Sequence, residues 1–99
     1  MRSIVIRPEA AADIEDAADY TTEQWGRDQA RRYIGDIRKA IERLTIDGLR
    51  YPEETAAYPG LRRMRSGHHL IFFLIDDDKV DVVRVMHERR DAVRHLTDQ

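Results

Sequence analysis

The sequence predicts an α+β fold in the order β-α-α-β-β-β, a helical hairpin packed on a small antiparallel sheet. Two stripes of apolar residues at spacings of three and four, parted by Gly26, predict the hairpin. Three apolar runs after Gly60, split by short polar turns, predict the sheet. A short alternating run ahead of Pro8 adds one strand at the start.

Each element follows from its residues. Residues 3–7 read as a strand, with Ile4 and Ile6 on one face and Val5 on the other. Arg7 precedes a proline and should be extended. Pro8 suits the first position of a helix, where its missing N–H costs nothing, and Glu9 and Asp13 suit the positive end of the helix dipole. Ile14, Ala17, Ala18 and Thr21 recur on one face, and Trp25 closes that stripe, so a helix is expected over residues 8–24. The second stripe is Ala30, Tyr33, Ile34, Ile37, Ala40, Ile41 and Leu44, ended by Asp47-Gly48. The short break at Gly26 makes the two helices an antiparallel hairpin.

Residues 49–60 read as a loop holding two of the three prolines, and Pro59-Gly60 suits a type II turn. Strands are expected at residues 61–65, 69–75 and 80–87. Asp76-Asp77-Asp78-Lys79 joins the last two as an antiparallel hairpin. Residues 70–75 are apolar on both faces, as in a central strand. Residues 89–96 suit a last helical turn or two. The hairpin covers one face of the sheet and leaves the other for something else.

Length and composition bound the function. Ninety-nine residues are expected to form one domain, residues 1–99, with one modest core and no room for a separate cofactor domain. The longest apolar run has six residues against the roughly 20 that a bilayer needs. The first residues lack the apolar stretch of a signal peptide, so a cytoplasmic location is expected and no membrane partner. With no cysteine there is no disulfide and no thiolate chemistry. Lys+Arg number 17 against 19 Asp+Glu, a net charge of −2, so the chain alone is not expected to bind DNA. Fifteen of the 17 cations are arginine, the residue suited to bidentate pairing at interfaces.

No cofactor or metal site is expected. His87-Glu88-Arg89-Arg90-Asp91 lacks the second histidine of a zinc-protease helix, and Asp76-Asp77-Asp78 lacks the glycine and distal glutamate of a calcium loop. Ser66 precedes Gly67 and reads as turn chemistry rather than a nucleophile. The five glycines are scattered, so there is no phosphate loop. Arg62, Arg63 and Arg65 form one basic cluster; Arg84, Arg89, Arg90 and Arg94 form another. Both should lie on or beside the sheet. They are either neutralised by Asp76, Asp77, Asp78 and Asp81 or free to receive an acidic partner or an RNA backbone. His87 ends a strand beside Arg89 and Arg90. The exposed side of the first helix carries Glu15, Asp16, Asp19 and Glu23.

A set of short motifs runs in order along the chain. It comprises Tyr20…Trp25-Gly26…Gln29-Ala30…Tyr33, Pro59-Gly60-Leu61-Arg62-Arg63, and Ser66-Gly67-His68-His69-Leu70-Ile71-Phe72-Phe73. Asp81-Val82-Val83-Arg84-Val85-Met86-His87-Glu88-Arg89-Arg90-Asp91 and His95-Leu96 complete it. This series, over residues 4–96, resembles the ParE branch of the RelE/ParE toxins. The resemblance implies the toxin half of a type II toxin–antitoxin pair, held inactive by a ParD-like antitoxin whose C-terminal segment wraps it. ParE members are described as poisoning DNA gyrase; RelE members are ribosome-dependent messenger RNA endonucleases.

The branch follows from what is missing. RelE-like nucleases share lysines before the second strand, an arginine early in the third, and an arginine and a tyrosine near the C-terminus. Such groups orient and protonate the reacting oxygens in metal-free RNA cleavage. Here the strand arginine position reads Leu70 and the C-terminal tyrosine position reads Arg94; no tyrosine follows Tyr58, and no lysine lies between Lys39 and Lys79. The expected function is therefore a non-enzymatic toxin that acts by binding, with gyrase as target and the RelE-type endonuclease as the alternative. His87, Arg89, Arg90 and Arg94 are the expected target-binding residues. Trp25, Tyr33, Leu61, Arg62, Arg63 and Arg65 are the expected antitoxin-binding residues, through a helix on the hairpin and an extended segment along a sheet edge.

Overall fold

Pro8 opens the first helix, and Gly26 both ends it and starts the second. The computed structural model describes residues 2–54, 56–57, 59–90 and 96. Its elements are β1 (Ser3–Ile6), α1 (Pro8–Trp25), α2 (Arg27–Asp47), β2 (Arg62–Ser66), β3 (His69–Ile75) and β4 (Lys79–His87). A single 3-10 turn, Gly48–Arg50, follows α2. The Gly26 N–H donates to the Thr22 carbonyl at 2.9 Å, and the Gly26 carbonyl accepts from the Ala30 N–H at 3.1 Å. One residue thus serves both helices, at φ +92° and ψ 168°, a backbone region open essentially to glycine alone.

The hairpin buries Ala10, Ile14, Ile37, Ala40, Ile41 and Leu44 against one face of the sheet. Met64, Ile71, Phe73, Val80, Val82 and Val85 meet them there. Thr21 takes a buried position in this stripe because its hydroxyl donates to the Ala17 carbonyl at 2.7 Å. Trp25 does not close the stripe as expected. It is the last residue of α1 and stands with 73% of its surface exposed.

The sheet has the order β1-β4-β3-β2 and is mixed. β2–β3 and β3–β4 pair antiparallel as expected, but β1 pairs parallel to β4, with Ile4 opposite Val80. The wholly antiparallel sheet is therefore corrected. The cause lies in the loop. Glu53 forms an antiparallel bridge to Arg62, the Arg63 N–H donates to the Pro52 carbonyl, and the Glu54 N–H donates to the Leu61 carbonyl. The chain after α2 thus runs down the β2 edge before turning into β2, a reversal that a plain loop reading does not contain. Gly60 takes the positive φ that a Pro-Gly type II turn demands.

The other face is not left open, as the sequence reading had it. Leu61, Phe72, Val83, Met86 and Leu96 are buried together there, with Ala57, Leu70 and Leu74 against them. The loop and the C-terminal Leu96 supply this second cover. Of the expected helical tail, residues 91–95 lie outside the described residues, and Leu96 is helical.

One irregularity positions the site. The β3–β4 register slips by one between Phe72 and Phe73, so Phe73 faces Val82 while Phe72 faces Arg84. Val83 is the extra residue, and the bulge re-phases everything after it. Before it, Val80 and Val82 belong to the helix-side cluster; after it, Val85 does. The same slip sets His69 opposite His87.

Candidate functional site

The end of α1 and the start of α2 overhang the end of the sheet where β3 begins and β4 stops. Between them lie two confluent hollows. One, about 700 Å³, is lined by Tyr20, Trp25, Tyr33, His68, His69 and Arg89, among others. The other, about 370 Å³, is lined by Asp16 and Arg90, among others, and shares Tyr20, His69, His87 and Arg89 with the first.

Tyr33 organises the floor. Its hydroxyl accepts the His68 N–H at 3.0 Å and lies 2.6 Å from His69 Nδ1. Its ring packs over Gly67, where an added Cβ would stand 2.6 Å from it. Gly67 has φ +59° and no non-glycine residue among the described ones has positive φ, the sign pattern of a type II′ turn in the two-residue β2–β3 hairpin. Burial raises the Tyr33 pKa, so the phenol stays neutral.

Three imidazoles gather beside it. His69 and His87 meet edge to face with centroids 5.4 Å apart; His68 and His87 stack at 6.3 Å. Burial lowers the His69 pKa, and the neighbouring His87 and His68 lower it further. The Arg89 N–H donates to His87 Nδ1 at 3.2 Å, which places the proton of the neutral ring on Nε2. His68 Nδ1 lies 3.2 Å from Glu88 Oε2, which also accepts from Arg65 at 2.8 Å. His68 first, then Arg65, hold the Glu88 pKa below its ordinary value.

The arginines divide into two groups. Arg62 donates to the Leu49 and Tyr51 carbonyls and pairs with Glu53. Arg63 pairs with Glu54, Arg65 with Glu88, and Arg84 with Asp13. The neutralising carboxylates are thus not the Asp76–Asp78 run, and Asp81 pairs with Arg7. Neither Arg89 nor Arg90 forms an ion pair among the described residues.

The site residues expected from sequence are therefore only partly brought together. His87, Arg89 and Arg90 share the cleft; Arg94 lies outside the described residues. Trp25 and Tyr33 line this same cleft. Arg63 and Arg65 stand on the other sheet face, and Leu61 is fully buried in the second cluster, so it offers no surface. Tyr20, His68 and His69 were not anticipated as site residues. The hairpin motif alone could have suggested His69, but an unbulged register would pair it with Met86 rather than His87. Among the described residues no group of three His, Asp or Glu side chains is placed to hold a metal ion, and no helix is long and apolar enough to cross a membrane. The groups present can donate hydrogen bonds to an anion, and Trp25 and Tyr20 offer exposed aromatic faces.

Residues 4–92, which contain the whole cleft, match the family model described as the ParE toxin of the parDE type II toxin–antitoxin system. The chain belongs to the ParE toxin family. It is 33% identical over 93 residues to Toxin ParE1 of Mycobacterium tuberculosis, covering 93% of this chain and 95% of that one. It is also 33% identical over 100 residues to Toxin ParE of Escherichia coli, covering 100% of this chain and 97% of that protein. Solved structures agree on the fold. A chromosomal ParDE system from P. aeruginosa superposes with a TM-score of 0.75 at 19% identity, covering 88% of this chain and 96% of that one. The YoeB–YefM complex from Staphylococcus aureus superposes at 0.62 and 14% identity, covering 88% and 97%. This ParE-family chain shares the α+β architecture of both.

Proposed function

We propose that this ParE-family toxin inhibits DNA gyrase by binding it, without catalysis of its own, and is neutralised by a ParD-like antitoxin. The target-binding group is His87, Arg89 and Arg90, with Arg94 following in the chain. One observation carries the assignment: the sheet arginines Arg62, Arg63, Arg65 and Arg84 are held by carboxylates of the chain itself, whereas Arg89 and Arg90 stand in an open cleft without one among the described residues. A guanidinium left unpaired at a concave surface is a donor reserved for a partner. The family resemblance names gyrase as that partner and ParD as the neutraliser.

The antitoxin reaches Trp25 and Tyr33 at the cleft and exchanges carboxylates with Arg63 and Arg65. Those arginines are about half exposed, at 48% and 60%, so their present pairs are weak and readily exchanged. One ligand laid across the cleft would hide Arg89 and Arg90 from gyrase.

The test is expression of the chain from a tight promoter with and without a ParD-like antitoxin, followed by a gyrase cleavage-complex assay on purified toxin. Growth arrest relieved by the antitoxin, with trapped gyrase–DNA breaks, is the expected result. Arrest with gyrase unaffected and messenger RNA cut would replace this reading with the endonuclease.

A further inference from the structure

The cleft sets exposed aromatic faces beside hydrogen-bond donors. Trp25 is the only tryptophan of the chain, and it stands 73% exposed at the mouth, with Tyr20 60% exposed on the same helix. Both line the hollow that ends on His69, His87 and Arg89. In those two imidazoles Nδ1 is engaged, by Tyr33 and by the Arg89 N–H, and no hydrogen bond engages either Nε2 among the described residues. An aromatic platform at one end and N–H donors with a guanidinium at the other fit a ligand with a flat ring and an adjacent anion. We propose that the cleft binds a short segment of single-stranded nucleic acid, with one base stacked on Trp25 or Tyr20 and its phosphodiester held by His69, His87 and Arg89.

Three considerations favour this ligand. A hollow of about 700 Å³ falls within the roughly 300–1,000 Å³ range of small-ligand sites, so it has room for a nucleotide unit. Base stacking on an exposed aromatic tolerates any sequence and needs no base-edge readout. The net charge of −2 opposes a duplex that draws its affinity from many phosphates, but a site for one or two needs only local donors. The flank of α1 enforces that limit. Asp16, Asp19 and Glu23 lie along it, and α1 carries no basic residue, so a second backbone would be repelled.

The inference does not rest on gyrase being the target. Its test is titration of the full-length toxin with short oligothymidylate, read by quenching of the sole tryptophan and by anisotropy of a labelled oligonucleotide. Saturable quenching is expected, with affinity falling about two- to threefold between about 50 and 200 mM salt, as one phosphate contact requires. Trp25→Ala should weaken binding about fivefold or more, and Arg89→Ala about tenfold or more. Arg38→Ala, on the outer face of α2, should leave it unchanged. Absence of saturable quenching, equal binding of a duplex or of an acidic peptide, or an equal loss in Arg38→Ala would overturn the proposal. A toxin that traps gyrase but leaves oligothymidylate unbound overturns this inference alone. Tight oligonucleotide binding with gyrase untouched overturns only the gyrase reading.

Discussion

Asp13 shows how a single side chain ties a helix to the sheet. Its carboxylate accepts Arg84 Nε at 2.7 Å, the second guanidinium nitrogen at 3.0 Å and the Val85 N–H at 2.9 Å. Both side chains are largely buried, at 11% and 13% exposure, and the pairing raises the Arg84 pKa. Removing one partner of such a pair leaves a buried charge and costs about 3–5 kcal/mol. Asp13→Ala should therefore lower the melting temperature by about 12 °C or more, at about 4–8 °C per kcal/mol. Asp13→Leu combined with Arg84→Met should recover most of it; a single variant melting like wild type would show the pair to be idle. His69 makes the fold sensitive to pH. Its folded pKa is pushed below the ordinary 6.5, so the folded state binds fewer protons here than the unfolded state. Stability from this ring is complete above pH 6.5 and declines as pH falls from there towards the lowered value. The Glu88 contribution is present above its ordinary 4.5 and is lost only as pH falls through its depressed folded value. Melting temperature should thus begin to fall just below pH 6.5, and His69→Gln should flatten that upper limb in a calorimetric pH series.

At the scale of elements, two glycines make separable predictions. Nothing lies within 4 Å of a Cβ added at Gly26, so Gly26→Ala carries only the backbone strain, about 1–3 kcal/mol. At Gly67 the added carbon also strikes Tyr33. Gly26→Ala should lower thermal stability and leave toxicity intact, whereas Gly67→Ala should disturb both, since Tyr33 holds His68 and His69 in place. The elements themselves were legible because each is written locally: Pro8 and Gly26 as punctuation, apolar residues at helical spacing, Gly67 and the Asp76–Lys79 turn between alternating runs. What the sequence hid is non-local. The reversal along the β2 edge rests on backbone hydrogen bonds of residues 52–54, which leave no side-chain signature. The bulge at Val83 shows in the sequence only as the adjacent Val82-Val83 between Asp81 and Arg84, a single break in alternation that does not by itself announce the slip setting His69 opposite His87. Trp25 was misplaced because helical spacing gives its azimuth but not what lies under the last residue of α1.

At the scale of the molecule, the family and the fold answer different questions. Residues 4–92 place the chain among ParE toxins, and the structure shows which arginines are paired with carboxylates of the chain itself. Arg62, Arg63, Arg65 and Arg84 looked equivalent to Arg89 and Arg90 in the sequence, yet each of the former has a carboxylate of its own. On the function proposed above, that division would concentrate target binding in one cleft and give the antitoxin one area to cover. The measurement that tests this most directly is gyrase cleavage-complex trapping by wild type and by the variant carrying His87→Ala, Arg89→Ala and Arg90→Ala, with melting temperatures recorded for both. The account predicts loss of trapping and of growth arrest in a variant that still folds. Full trapping by that variant would show that the cleft is not where this toxin meets its target.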